Sequence, residues 1–261
     1  MATYVFSDVH GHAVTLDRLL ERVSPGADDR IFMLGDMIDR GPDPVSVLKC
    51  CRALSEAGGC VLLGNHDSAC LGRETSICDQ QNPNYDIDRA QRLQLTKTDL
   101  KWLGARKFLM VVDGMALAHG DFASPESWGY IIDERDALES FLAREEDLMF
   151  CGHTHHLAVW RRCGSSPAEC VSENRLANLP AAAESIVFKR RKGERYIVNV
   201  GSVGYPRNDL CSSYAICDPE SDEFTLRRLP FDFRGYVSEM QKRGVALPPW
   251  LCRLLLAAMA G

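Results

Sequence analysis

The chain has 261 residues, 46% of them hydrophobic and 25% charged, enough to bury a sizeable core and consistent with a single domain over 1–261. A net charge of -6 and a pI near 5.7 exclude the broad phosphate neutralisation by which proteins wrap DNA or RNA, so no stable nucleic-acid binding is expected. No basic and apolar leader opens the chain, and the longest apolar stretch, Leu251 to Ala260 broken by Arg253, is too short to span a bilayer. The expectations are a cytoplasmic protein, no membrane, and a terminal docking helix from that stretch.

In chain order, the first two thirds alternate short apolar runs with amphipathic stretches, an α/β signature. Tyr4 to Ser7, Ile31 to Leu34, Cys60 to Leu63, Met115 to Ala118 and Leu148 to Cys151 read as buried strands bounded by polar or turn residues. Helical patterns cover Ala13 to Val23, Pro44 to Ala57, Asp86 to Leu95, Asp99 to Leu103 and Glu134 to Arg144. Asp43 before Pro44 is a cap followed by proline at the first helical position, and Gly58-Gly59 closes that helix. The last third changes character, with β-like runs at Ala158 to Arg161, Ile186 to Lys189, Tyr196 to Val200, Tyr214 to Cys217 and Phe224 to Leu229. These predict a second, largely antiparallel sheet. Glu74 to Tyr85 and Gly164 to Glu184 read as loops, and KRRKGER (Lys189 to Arg195) as a solvated hairpin turn around Gly193.

Eleven cysteines, an odd number without a CxxC pair, point to reduced thiols. Cys50, Cys51, Cys60, Cys151 and Cys217 read as small buried hydrophobes. Cys163 and Cys170 are the one pair spaced to clip a loop.

Each strand of the first part runs directly into a polar motif: SDVHG, GDMIDRG, GNHD, AHGD and GHTH. In open α/β sheets ligands gather outside the carboxyl ends of the strands, so these five loops should converge on one crevice. All seven histidines lie in or beside the motifs. The loops offer two carboxylates (Asp8, Asp36), four imidazoles (His10, His119, His153, His155) and one amide oxygen (Asn65). Mixed oxygen and nitrogen donors suit manganese, iron, zinc, cobalt or nickel better than a thiolate-seeking ion. Seven ligands are too many for one ion with open positions. Two ions sharing a carboxylate match the number, an arrangement that clamps the attacking and leaving oxygens of a displacement at phosphorus.

The five motifs in this order resemble the calcineurin-like metallophosphoesterase superfamily over nearly the whole chain. VNVGSVGYPRND followed by SSYAI is similar to bacterial members grouped with diadenosine tetraphosphatases and serine/threonine phosphatases. The resemblance implies a layered α/β/β/α sandwich of two mixed sheets flanked by helices, with two divalent ions, manganese foremost and magnesium also admissible, at the carboxyl ends of the strands. It implies that Asp8, His10, Asp36 and His155 hold the first ion and that Asp36, Asn65, His119 and His153 hold the second. It further implies a nucleophilic hydroxide between the ions, His66 as the acid protonating the leaving oxygen, Asp39 orienting His66, and Arg40 as a fork for the phosphate. Asp39 and Arg40 have a rival reading as a structural ion pair at the start of a helix.

Arg207 is either a further phosphate contact or a hairpin-turn arginine. His12 and His156 flank the motifs and read as solvent-facing or supporting residues. Trp128 and Tyr130 offer either a base-stacking wall or packing for a short element. The reaction expected is hydrolysis of phosphomonoesters, of a small molecule or phosphoprotein, or of dinucleoside polyphosphates. A phosphodiesterase acting on cyclic nucleotides or nucleic-acid ends is the enzyme alternative, and a non-catalytic scaffold the remote one.

Overall fold

The computed structural model describes residues 1–73, 85–172, 185–207, 211–218, 221–244 and Leu247. Among the described residues, twelve strands form two six-stranded sheets. In the first, β1 (Thr3–Phe6), β2 (Arg30–Met33) and β3 (Cys60–Val61) run parallel, and β11 (Cys211–Cys217), β12 (Glu223–Pro230) and β9 (Ser185–Lys189) continue antiparallel from β1. In the second, β5 (Met115–Ala118), β6 (Leu148–Cys151) and β10 (Glu194–Val200) are parallel. Strands β4 (Leu109–Val112), β7 (Leu157–Cys163) and β8 (Glu169–Cys170) pair antiparallel at its two sides.

Successive side chains of a strand point to opposite faces, and here both faces are apolar. Val5, Phe32, Leu117, Phe150 and Val198 meet in a core between the sheets. Their strand neighbours Phe6, Met33 and Ile31 face outward against Leu16, Val47 and Leu48 of α1 (Ala13–Val23) and α2 (Pro44–Glu56). On the other side Ala116, Met149 and Ile197 pack on Ala137 and Phe141 of α6 (Glu134–Ala143). Three apolar layers therefore separate two sheets and two helical coats, the α/β/β/α sandwich that the resemblance implied.

The last-third strands do not form a sheet of their own. β11, β12 and β9 extend the first sheet, and β7 and β10 extend the second, because β1 and β6 each have an open backbone edge that must be paired. Sequence reading missed β4, the six-residue α3 (Asn65–Cys70), α7 (Phe233–Lys242) and β8, which pairs with β7 inside the stretch read as the Gly164 to Glu184 loop. It placed α4 at Asp86 to Leu95, where the helix is Tyr85–Arg92. It started α5 (Lys97–Gly104) two residues late, because Thr96 and Asp99 cap it reciprocally, at 3.2 Å to Asp99 N and 2.8 Å to Thr96 N. The reading of α2 holds: Asp43 accepts from Ser46 N at 3.0 Å and Pro44 follows. The KRRKGER turn also holds, with Gly193 at a φ of +84° between β9 and β10.

Cys163 and Cys170 are both unbridged, and Cys51, Cys60, Cys151 and Cys217 are buried thiols, whereas Cys50 is half-buried. The Leu251 to Ala260 stretch and most of both long loops lie outside the described residues. Among the described residues no helix is long and apolar enough to cross a membrane.

Candidate metal centre

Five motif loops leave the carboxyl ends of β1, β2, β3, β5 and β6 and meet above the inter-sheet core. Ligand atoms of Asp8, His10, Asp36 and His155 lie within 4.8 Å of one another, and so do those of Asp36, His119 and His153. Asp36 belongs to both groups. Asn65 Oδ1 sits 3.1 Å from His119 Nε2 and so joins the second. All seven residues are buried.

The imidazoles are aimed by their outward nitrogens. His10 Nδ1 donates to Ile38 O at 3.1 Å, His119 Nδ1 to Leu34 O at 3.1 Å and His155 Nδ1 to Tyr205 O at 2.7 Å. A carbonyl only accepts, so Nδ1 carries the proton and Nε2 turns inward, as metal ligation requires. His153 is reversed: Nε2 donates to Trp128 O at 3.0 Å and leaves Nδ1 for the cluster.

Asp8 Oδ1 is buried without a hydrogen-bond donor, although His155 Nε2 lies 3.1 Å away. A buried carboxylate oxygen facing two imidazole edges, His155 and His10, and a second carboxylate is a cation's environment. The donors are hard oxygens and borderline nitrogens, so the residues present suit a pair of divalent ions.

Backbone strain is concentrated in the same place. Asp8, His10, Asp36, Asp39, Arg40, His153 and His155 all have φ between +51° and +69°. Non-glycine residues rarely adopt this region, and outliers of this kind cluster at functional sites. Two motif glycines are dictated by contact: a Cβ on Gly64 would overlap Asp36 N and its carboxylate, and one on Gly152 would overlap Ser7 Oγ and the Asp8 carboxylate.

The protein's own field reflects this crowding. Burial opposes ionisation of Asp36, yet His119, His66 and His10 hold its carboxyl well below the usual range. Asp8 is likewise held down, against burial, by His155 and His119. Burial would lower His119, but Asp36 and Asp8 raise it to about 9. His153 is lowered to about 4 by burial and then by His119.

Beside the ligand cluster, His66 Nδ1 lies 2.9 Å from Asp39 Oδ2, and His66 Nε2 lies 3.3 Å from Arg40 Nη2. Burial opposes protonation of His66, but Asp36 and Asp39 raise its proton affinity. Asp39, His66 and Asp88 also lie close enough to suggest a third ion group. Arg40 and Arg92 already pair with its carboxylates, so that place is filled by cationic side chains.

Several residues outside the sequence assignments complete the centre. Asp67, the last letter of GNHD, accepts from Met37 N at 3.0 Å, Ile38 N at 3.3 Å and Gly64 N at 2.9 Å, tying the second motif loop to the third. Asn199, in the VNVGSVG segment, donates to Gly152 O at 2.6 Å and Thr154 Oγ1 at 3.0 Å. Ser202 Oγ donates to Asp8 O at 2.9 Å. Their motif position was the available signal. Asp88 and Arg92 had none, since they lie on α4 outside every motif.

Other expectations are changed. His12 is neither solvent-facing nor a support of the ligands: its ring is buried against Tyr236 and Phe231, with centroids at 4.5 and 5.8 Å. His156 is half-buried. Trp128 is a packing residue whose carbonyl holds His153, while Tyr130, 49% exposed, lies flat on the His153 ring at 4.1 Å. Arg207 is exposed, two residues beyond the carbonyl that holds His155.

A two-sheet sandwich with carboxylates, imidazoles and an amide converging at its strand ends defines a metal-dependent hydrolase. Residues 1–222 match the calcineurin-like phosphoesterase superfamily domain, and the chain belongs to that family of enzymes, which depend on two metal ions to hydrolyse phosphoester bonds. An uncharacterised protein of Methanocaldococcus jannaschii is 27% identical over 255 residues, 95% of this chain and 94% of that one. A symmetrical bis(5'-nucleosyl)-tetraphosphatase of Proteus mirabilis is 44% identical over 168 residues, 64% of this chain, and the match spans only 59% of that relative. A metallophosphoesterase structure from Sphaerobacter thermophilus superposes with a TM-score of 0.78 at 30% identity over 98% of both chains. A serine/threonine phosphatase structure from Saccharomyces cerevisiae shares the fold, with a TM-score of 0.51 at 11% identity over 88% of this chain and 80% of that one.

Proposed function

We propose that the protein is a phosphatase acting on phosphomonoesters or on dinucleoside polyphosphates. Asp8, His10, Asp36 and His155 would hold one ion and Asp36, Asn65, His119 and His153 the other, with manganese the first candidate. When bound, the pair supplies an activated water and charge neutralisation at phosphorus. The observation that carries the reading is the His66–Asp39 hydrogen bond at 2.9 Å beside the ligand cluster. An imidazole with a buried carboxylate on Nδ1 and its Nε2 beside the Arg40 guanidinium is equipped to protonate a poor alkoxide leaving group on a phosphate that Arg40 holds. Arg40, next to His66 Nε2, offers a planar fork for the phosphate oxygens.

The tetraphosphatase relatives support the dinucleoside substrate, and Tyr130, half-exposed over His153, supplies an aromatic face near the centre. The test is a screen of manganese-loaded protein on p-nitrophenyl phosphate, a phosphopeptide and diadenosine tetraphosphate. Turnover of at least one is expected. Inactivity on all three, or a rate on bis-p-nitrophenyl phosphate far above that on the monoester, would overturn it, the latter in favour of a phosphodiesterase.

A further inference from the structure

Helix α4 lies outside the five motifs, yet one of its faces grips the second motif loop at three points. Asp88 accepts from Arg40 N at 3.0 Å and from Arg40 Nη1 at 2.9 Å. Gln91 Nε2 donates to Gly41 O. Arg92 donates from Nε to Asp39 Oδ1 at 3.1 Å and from Nη2 to Asp39 Oδ2, the same oxygen that meets His66. Asp88 and Arg92 stand one helical turn apart and so share this face. The helix is seated by Ile87 in a small cluster with Phe231, Tyr236 and Met240.

Asp39 is fully buried, and a buried carboxylate is costly unless it is paired. Its partner His66 is expected to lose its positive charge each time it protonates a leaving group. Arg92 has no such cycle, because guanidinium stays charged throughout. Its two-point grip holds Asp39 in the orientation that aims His66, whether or not His66 carries its second proton. Arg40 holds a φ of +69°, and Asp88 bonds both its backbone N–H and one arm of its fork, leaving the other arm beside His66.

We propose that α4 is the arm that orients the proton donor and the phosphate fork, with Arg92 a positioning residue for His66 through Asp39 and Asp88 a positioning residue for Arg40. This rests on the reading of His66 as the acid and Arg40 as the phosphate contact.

The test compares a p-nitrophenyl ester with an alkyl phosphate ester on manganese-loaded protein. His66→Ala is the reference and should lose about 10²-fold or more on the alkyl ester and far less on the aryl ester. Arg92→Met should repeat that leaving-group pattern at about 10-fold or more, with two ions still bound. Added to Asp39→Asn it should cost nothing further, since residues acting as one unit are not additive. Arg92→Lys, which keeps the charge but not the fork, should recover part of the loss and serves where the Met variant folds poorly. Asp88→Ala should raise KM and the inhibition constant of inorganic phosphate several-fold while the leaving-group pattern stays wild-type.

Equal losses on both esters for Arg92→Met, or full additivity with Asp39→Asn, would overturn the positioning role while leaving His66 as the acid. If His66→Ala itself shows no dependence on the leaving group, the underlying reading falls, and this proposal with it.

Discussion

Asp36 belongs to both ligand groups, and its Oδ1 also accepts from His66 N at 2.9 Å. Replacing it with asparagine removes a charge that both ions would share. Asp36→Asn should therefore lower metal content at both positions together, read by metal analysis after dialysis, and retention of two tight ions would remove its bridging role. His12 offers a separate test at the same scale. Burial lowers its folded pKa to about 3 from an ordinary 6.5, so the unfolded chain binds more protons between those values. The contribution is fully present above pH 6.5 and is lost as the pH falls towards 3. His12→Asn, which cannot titrate, should flatten the acid limb of a stability-against-pH curve, and an unchanged limb would count against this account.

At the scale of elements, the glycines that end β3 and β6 matter because side chains from other loops occupy the space a Cβ would need. Gly64→Ala would push on Asp36 at the start of α3, the short helix that also carries Asn65 and His66. The expected result is a loss of metal affinity of about 10- to 100-fold, the size seen when groups supporting a ligand are disturbed. Calorimetric titration with manganese measures it, and wild-type affinity would mean the loops yield more easily than this packing implies. The caps of α2 and the five strand-to-motif junctions were legible in the sequence because they depend on neighbours in the chain. β4 and α3 were not: β4 has partly exposed residues and no alternation, and α3 is held by Asp67 reaching across to Met37 and Ile38.

For the molecule as a whole, five loops from two sheets bring like-charged carboxylates and crowded imidazoles together, an arrangement that a bound cation relieves. Binding to the folded state alone adds RT ln(1 + [L]/Kd), about 2.7 kcal/mol at a hundredfold excess over Kd. For a chain of this size that corresponds to a rise in Tm of roughly 5 °C or more. Manganese should raise the Tm and a chelator reverse the rise, measured by calorimetry on wild type and Asp36→Asn, and a variant that responds as the wild type does would exclude the shared site as the cause.

The sequence by itself named the side chains that gather at the strand ends: seven oxygen- and nitrogen-bearing residues, the neighbouring His66, Asp39 and Arg40, and the order of the five motifs that carry them. Each is written in a few consecutive letters, because a strand delivers its last residue to a place set by local geometry. The tertiary structure alone decided how the last-third strands divide between two sheets, why Asp67 and Asn199 are needed, and that Asp88 and Arg92 stand over the motif loop. Those facts rest on contacts between residues far apart in the chain, where open strand edges must be paired and buried charges must find partners. No local pattern records which distant segment will meet that need.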